Sequence, residues 1–299
     1  IGEGGAAALA EALPQCTALQ DLRVDSNRMG YTGAAALARA VPLCAALHTL
    51  GLNRAGLGDA GIAVLAEALP RCPALQDVGL GSNGVGQRGA RALARVLPRC
   101  AALRVLGLND NSIGEAGVTT LAQALPKCAQ LQGLQLFGNA FGCGGTAALA
   151  RALPQCAALQ ALGLNRTSMD DDSVAVLAEA LPRCPALQDL GLAGNAVGDL
   201  GAAALARVLP QCVELHTLRF VDPRADSAER PDAPLYPSSL CRLSGNSIGD
   251  QGATVLAQAL PLCTALRTCG LSGNAMSPRG QAELRDAVSR CPQQPNLSL

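Results

Sequence analysis

The sequence predicts an α/β solenoid: a horseshoe of stacked 28-residue repeats, with parallel strands on the concave face and helices on the convex face. Three observations predict it. Cys16, Cys44, Cys72, Cys100, Cys128, Cys156, Cys184 and Cys212 stand 28 residues apart, and Cys263 and Cys291 repeat the interval after one break. Within each period the spacing of apolar residues switches from alternation to a four-residue step. The composition is 49% apolar but only 2% aromatic, with no Trp, which suits thin repeated layers of Leu, Ala and Val better than one bulky core.

The strand comes first in each module. Leu103, Leu106 and Leu108 send alternate side chains inward, the mark of a short strand. Asn27, Asn83, Asn111, Asn139, Asn195, Asn246 and Asn274 follow at the ninth position, counting the first Leu as one, where an amide can satisfy backbone groups of the turn. Two modules place Ala55 and Thr167 there and carry Asn53 and Asn165 at the seventh position instead. The helix comes next: Leu121 and Leu125 lie on one stripe among Ala122 and Ala124, and Pro126 marks its end. One such unit cannot bury both its faces, so stability must come from stacking. Nine full modules run from Leu19 in a domain spanning 1–299. Partial modules at both ends point to a piece of a longer array or a gene model that stops early.

The module L-x-x-L-x-L-x-x-N-x-I-G-x-x-G-A-x-x-L-A-x-A-L-P-x-C, which Leu103 to Cys128 follow with Val118 at the Ala position, resembles ribonuclease-inhibitor-type leucine-rich repeats. The Ala-rich helices and the L-P-x-C ending are most similar to the arrays of CARD-containing NOD-like receptors. The resemblance implies a protein-interaction or ligand-sensing scaffold in a larger cytoplasmic protein, not an enzyme. Ran GTPase-activating proteins and ribonuclease inhibitor share the module. They imply two alternatives: activation of a small GTPase, with Arg54 or Arg166 as the suspect residues, and ribonuclease inhibition.

Two features vary the theme. Ala63 to Asp77 is identical to Ala175 to Asp189, four modules later, so a four-module block is duplicated. One helix column reads Arg39, Glu67, Arg95, Gln123 and then Arg151, Glu179, Arg207, Gln258, alternating charge between neighbours. The other feature is an insertion at 220–242, rich in Pro, which separates Leu218 from Leu243. It is either an extruded loop or a retained intron. The intron reading is favoured, because AGG codons at Arg219 and Arg242 would let splicing rejoin one Arg in frame, and a pyrimidine-rich tract can encode P-L-Y-P-S-S-L-C.

The sequence holds no catalytic set and no metal or cofactor motif. His48 and His216 share the second position of their modules and read as solvent-edge residues. The periodic cysteines read as small apolar residues with reduced thiols, Cys143 as an accessible thiol in a variable loop, and Asp170, Asp171 and Asp172 as a solvated acidic turn. With 23 basic and 23 acidic residues the chain is neutral, and no contiguous basic block suggests nucleic acid. No apolar run reaches the roughly 18 to 20 residues of a membrane span. What remains is protein binding by the concave face and its rim, with candidate residues Arg23, Asp25, Arg54, Asp110, Gln135, Phe137 and Arg166. Gly51, Gly79, Gly107, Gly163, Gly191 and Gly270 leave the middle of that face plain.

Overall fold

The computed structural model describes residues 1–219 and 245–299, so the insertion at 220–242 lies outside the described residues. Two compact units, Ile1–Ala140 and Phe141–Leu299, divide the chain.

The first unit runs α1 (Glu3–Ala12), β1 (Asp21–Arg23), α2 (Gly30–Ala40), β2 (Thr49–Gly51), α3 (Gly58–Ala68), β3 (Asp77–Gly79), α4 (Gln87–Val96), β4 (Val105–Gly107), α5 (Gly114–Ala124) and β5 (Gly133–Gln135). Its strands pair in parallel and in chain order, with Asp21, Thr49, Asp77, Val105 and Gly133 in register. The second unit runs α6 (Gly142–Ala152), β6 (Ala161–Gly163), α7 (Asp171–Ala180), β7 (Asp189–Gly191), α8 (Asp199–Val208), β8 (Thr217–Arg219), α9 (Asp250–Ala259), β9 (Thr268–Gly270), α10 (Pro278–Ser289) and β10 (Asn296–Ser298). Ala161, Asp189, Thr217, Thr268 and Asn296 are in register there. Thr217 pairs with Thr268 across the insertion, and the repeat pattern resumes beyond it with Asn246 buried.

Each module closes its core between strand and helix. Leu103, Leu106 and Leu108 from the strand side, and Leu121 and Leu125 from the helix side, are all buried. The proline at the helix end does not break the chain cleanly. α5 ends at Ala124, but Leu125–Lys127 continue as one turn of 3-10 helix with Pro126 near its start, where a missing N–H costs no bond.

The periodic cysteine follows that turn, and its position has a polar reason as well as a steric one. The thiols of Cys72, Cys128 and Cys184 donate to the carbonyls of Ala68, Ala124 and Ala180, four residues back, at 3.5, 3.4 and 3.3 Å. A helix end leaves its last carbonyls without intrahelical partners, and a small apolar residue with a weak donor fits there. All twelve described cysteines carry free thiols. Burial pushes the thiols of Cys72, Cys128, Cys184 and Cys263 up to about 11, and those of Cys100 and Cys212 up to about 12.

The ninth-position asparagines form a ladder between modules. Oδ1 of Asn83 accepts from the amides of Ala55 and Leu57 at 2.9 and 3.3 Å, and its Nδ2 donates to the Leu52 carbonyl at 2.8 Å. Asn111 does the same for Asn83, Val85 and Leu80, and in the second unit Asn195 does so for Thr167, Met169 and Leu164. Where the asparagine is missing, a backbone carbonyl substitutes. The Ala55 carbonyl accepts from Met29 and Gly30, and the Thr167 carbonyl accepts from Phe141 and Gly142. Buried backbone polar groups are thus satisfied in both kinds of module.

Candidate binding face

The strand side of each unit is set by residues at positions two, three, five, seven and eight of the modules. Position eight has an unusual backbone. Ser26, Arg54, Ser82, Asp110 and Arg166 all have φ between 52° and 60°. Gly138, Gly194, Gly245 and Gly273 hold the same position, also at positive φ. The left-handed conformation is therefore a demand of the repeat and not of one module, and residues other than glycine meet it at a cost.

Position seven builds a second, shorter ladder. Oδ1 of Asp25 accepts from the Asn53 amide and from Asn53 Nδ2, each at 2.8 Å, and Oδ1 of Asn53 accepts from the Gly81 amide at 2.7 Å. Asn165 holds the Ala193 amide in the same way at 2.7 Å. In the first unit these side chains lie across the glycines of the next strand. A Cβ on Gly51 would stand 2.8 Å from Asp25 Oδ2 and 3.2 Å from Arg23 Cγ, and one on Gly79 would stand 2.9 Å from Asn53 Nδ2. Gly51 and Gly79 are roofed by their neighbours' polar side chains.

The candidate residues fall into three places. Arg23 and Asp25 close over Gly51, with Asp21 4.0 Å from the Arg23 guanidinium, and Arg54 stands exposed directly after Asn53. Asp110, Gln135 and Phe137 lie at the other end of the first unit. There the Asp110 amide donates to the Phe137 carbonyl at 2.7 Å, and Phe137 is only 8% exposed. Arg166 belongs to the second unit and lies with its Cγ over Gly194.

Sequence reasoning passed over several charged residues on this face, three of them in the first unit. Asp21, Asp77 and Arg104 join Arg23 and His48 near the strand starts of the first unit. Burial raises the Asp77 carboxyl above its ordinary range, with Arg104 pulling the other way. The available signal was variation between modules at positions two and three, which the repeat's own packing does not fix. His48 and His216 are both half-buried at position two. Asp170 and Asp171 are not a loose acidic turn: Asp170 caps α7 by accepting from the Ser173 amide at 2.9 Å, and Asp171 accepts from two amides of the next module. Among the described residues no helix is long and apolar enough to cross a membrane.

The family model described as Leucine Rich repeat matches residues 15–38, 183–206 and 242–257. No curated protein matches the chain. Similar solved structures include one titled Leiomodin-1 Actin-Binding Site 2, which is 20% identical over 48% of this chain and 70% of that one, at a TM-score of 0.34. The tropomodulin C-terminal domain of Caenorhabditis elegans is 15% identical over 60% of this chain and 92% of that one, at a TM-score of 0.40. The three matched stretches and the strand-and-helix modules agree: leucine-rich repeats build this chain into a solenoid fold.

Proposed function

We propose that the chain is a protein-binding array that works through the strand side of its modules, in a larger cytoplasmic protein similar to the NOD-like receptors. It acts by binding and not by catalysis. The observation that carries this reading is Arg54. It is exposed and held at φ +54°, in a position that glycine fills elsewhere in the same chain. A side chain there costs about 1 kcal/mol of backbone strain, and that cost is retained where it presents a cation to solvent. Residues kept in strained turns cluster at binding sites, and arginine is over-represented among the anchors of protein interfaces.

The test is affinity capture from cell lysate with the wild-type chain, with Arg54→Glu/Arg166→Glu and with the helix-side pair Arg39→Glu/Arg151→Glu. A partner lost only with the first pair supports the strand side. Equal retention by all three contradicts it.

A second reading, activation of a small GTPase, draws on the same exposed Arg54, since an arginine supplied in trans can stabilise charge on a transferring phosphoryl group. GTP turnover by a Ran-type GTPase, unchanged on adding the chain, would remove it.

A further inference from the structure

The helix side of the first unit carries a feature the repeat does not require. Arg88, Arg91, Arg95 and Arg99 run down α4 and the turn after it at spacings of three, four and four residues. They form one exposed stripe about 16 Å long at the helical rise. Arg95 is paired with Glu67. The side chains of Arg88, Arg91 and Arg99 make no ion pair or hydrogen bond among the described residues. Arg71 and Lys127 flank Arg99 at the same position of the modules on either side, and both are exposed.

The duplicated block supplies an internal comparison. α8 stands four modules after α4 and buries the same columns, Gly201, Ala202, Ala204, Leu205 and Ala206 against Gly89, Ala90, Ala92, Leu93 and Ala94. Its outer residues at the stripe positions are Leu200, Ala203, Arg207 and Gln211. The fold therefore accepts this helix without the stripe, and three of the four arginines are not needed for packing.

We infer that the arginine stripe of α4 is a second interaction surface, which docks an acidic α-helical segment of a partner protein. Guanidinium groups spaced along one helix face match carboxylates spaced three and four residues apart, and each pair can be bidentate. Nucleic acid is the poorer match: the chain is neutral overall and only 2% aromatic, whereas nucleic-acid surfaces combine extended positive charge with stacking side chains. A second copy of the chain is poorer too. The carboxylates of Asp171, Asp199 and Asp250 on its acidic helices are turned into neighbouring turns. This surface is distinct from the strand side and stands whether or not that side binds a partner.

The test is fluorescence anisotropy of the full chain with a labelled alanine-based helical peptide whose glutamates are spaced three and four residues apart. Arg88→Gln/Arg91→Ala/Arg99→Gln should weaken binding about tenfold, as the loss of three modest ion pairs implies. The control Arg39→Gln/Arg151→Gln/Arg207→Gln should change it by less than about twofold, since those residues lie outside the stripe. The charge-keeping Arg88→Lys/Arg91→Lys/Arg99→Lys should recover part of the loss. Equal losses in stripe and control variants would overturn the proposal. So would tighter binding of single-stranded DNA of equal charge, or self-association of the chain that the stripe variant abolishes.

Discussion

Oδ1 of Asp171, in the first turn of α7, accepts from the amide of Gly198 at 2.6 Å and so caps the helix of the following module. It also accepts from Gly201 at 2.9 Å. Asp59, Asp199 and Asp250 repeat the arrangement, reaching Gly86, Gly249 and Ser277 at 2.7, 2.7 and 2.8 Å. Helices that receive such a carboxylate start from an extended residue, as at Gly86, Gly198 and Gly249. Where Glu3, Tyr31 or Gln87 stands at the donor helix's matching position, the next helix instead enters through Gly30, Gly58 or Gly114 at positive φ. One helix thus satisfies the orphan amides of the next, and the negative charge favours its N-terminus.

Asp171→Ala is expected to cost about 0.5 to 2 kcal/mol, the usual worth of an N-cap, with Asp171→Asn losing less because an acceptor remains. Urea unfolding checks both. Hydrogen bonds from Ser277 hold the Asp250 carboxyl below its ordinary range, and those from Ser173 do the same for Asp170. Their contribution is present above the unfolded carboxylate range, about pH 4, and is lost as pH falls through the lower folded values. Replacing Asp250 by Asn should flatten the acid limb of a thermal-stability profile.

Asn83→Ala should be more damaging. The side chain is 3% exposed, and its removal strands the Ala55 and Leu57 amides and the Leu52 carbonyl in the interior. At about 1 to 3 kcal/mol for each orphaned group, a loss of at least about 3 kcal/mol is expected. A loss under about 1 kcal/mol in urea titration would mean that backbone carbonyls take over as they do at Ala55.

The left-handed turn makes a paired prediction. Gly194 has φ +63°, and a Cβ there would stand 2.7 Å from Arg166 Cγ, so Gly194→Ala should destabilise. The expected cost is about 1 to 2 kcal/mol. Arg54→Gly should leave stability level or raise it by up to about 1 kcal/mol, while weakening the strand-side partner. Calorimetry and binding measured on the same samples separate the two effects.

Thiol chemistry should follow burial. In mildly alkaline buffer a thiol reagent should reach Cys16 and Cys143, which are exposed, well before Cys72, Cys184 or Cys212. The buried thiols stay neutral up to about 11 or 12 when folded, whereas unfolded ones ionise near their ordinary value. Their contribution is therefore complete below about pH 8.5 and is lost progressively as pH rises toward the folded values. Labelling followed by peptide mapping, with and without denaturant, reads the first effect, and an alkaline melting series reads the second.

The fold was legible because a period announces itself: Leu103, Leu106, Leu108, Asn111 and Leu121 recur with identical roles, so one module reports on all. The links between modules were less legible. Asp171 looked like part of a solvated run because its partners, Gly198 and Gly201, lie a module away and nothing local marks them. Asp25 reads in the sequence as a binding residue alone, and nothing local marks the second task of its carboxylate, which holds Asn53 in the next turn. Position eight was not legible in the sequence, because only the backbone angles show that Arg54, Asp110 and Arg166 share a strained turn with glycines. The stripe on α4 was hidden because Arg88, Arg91, Arg95 and Arg99 are dispersed in the chain and converge only on a helix.

Whether a partner sits on the strand side is tested most directly by hydrogen–deuterium exchange of the chain with its captured partner. Added protection is expected in residues 21–26, 49–54, 77–82 and 105–110, which carry strand and left-handed turn together. Exchange in α2 and α3 should change little. Protection confined to the helices, with those four segments exchanging as in the free chain, would contradict strand-side binding.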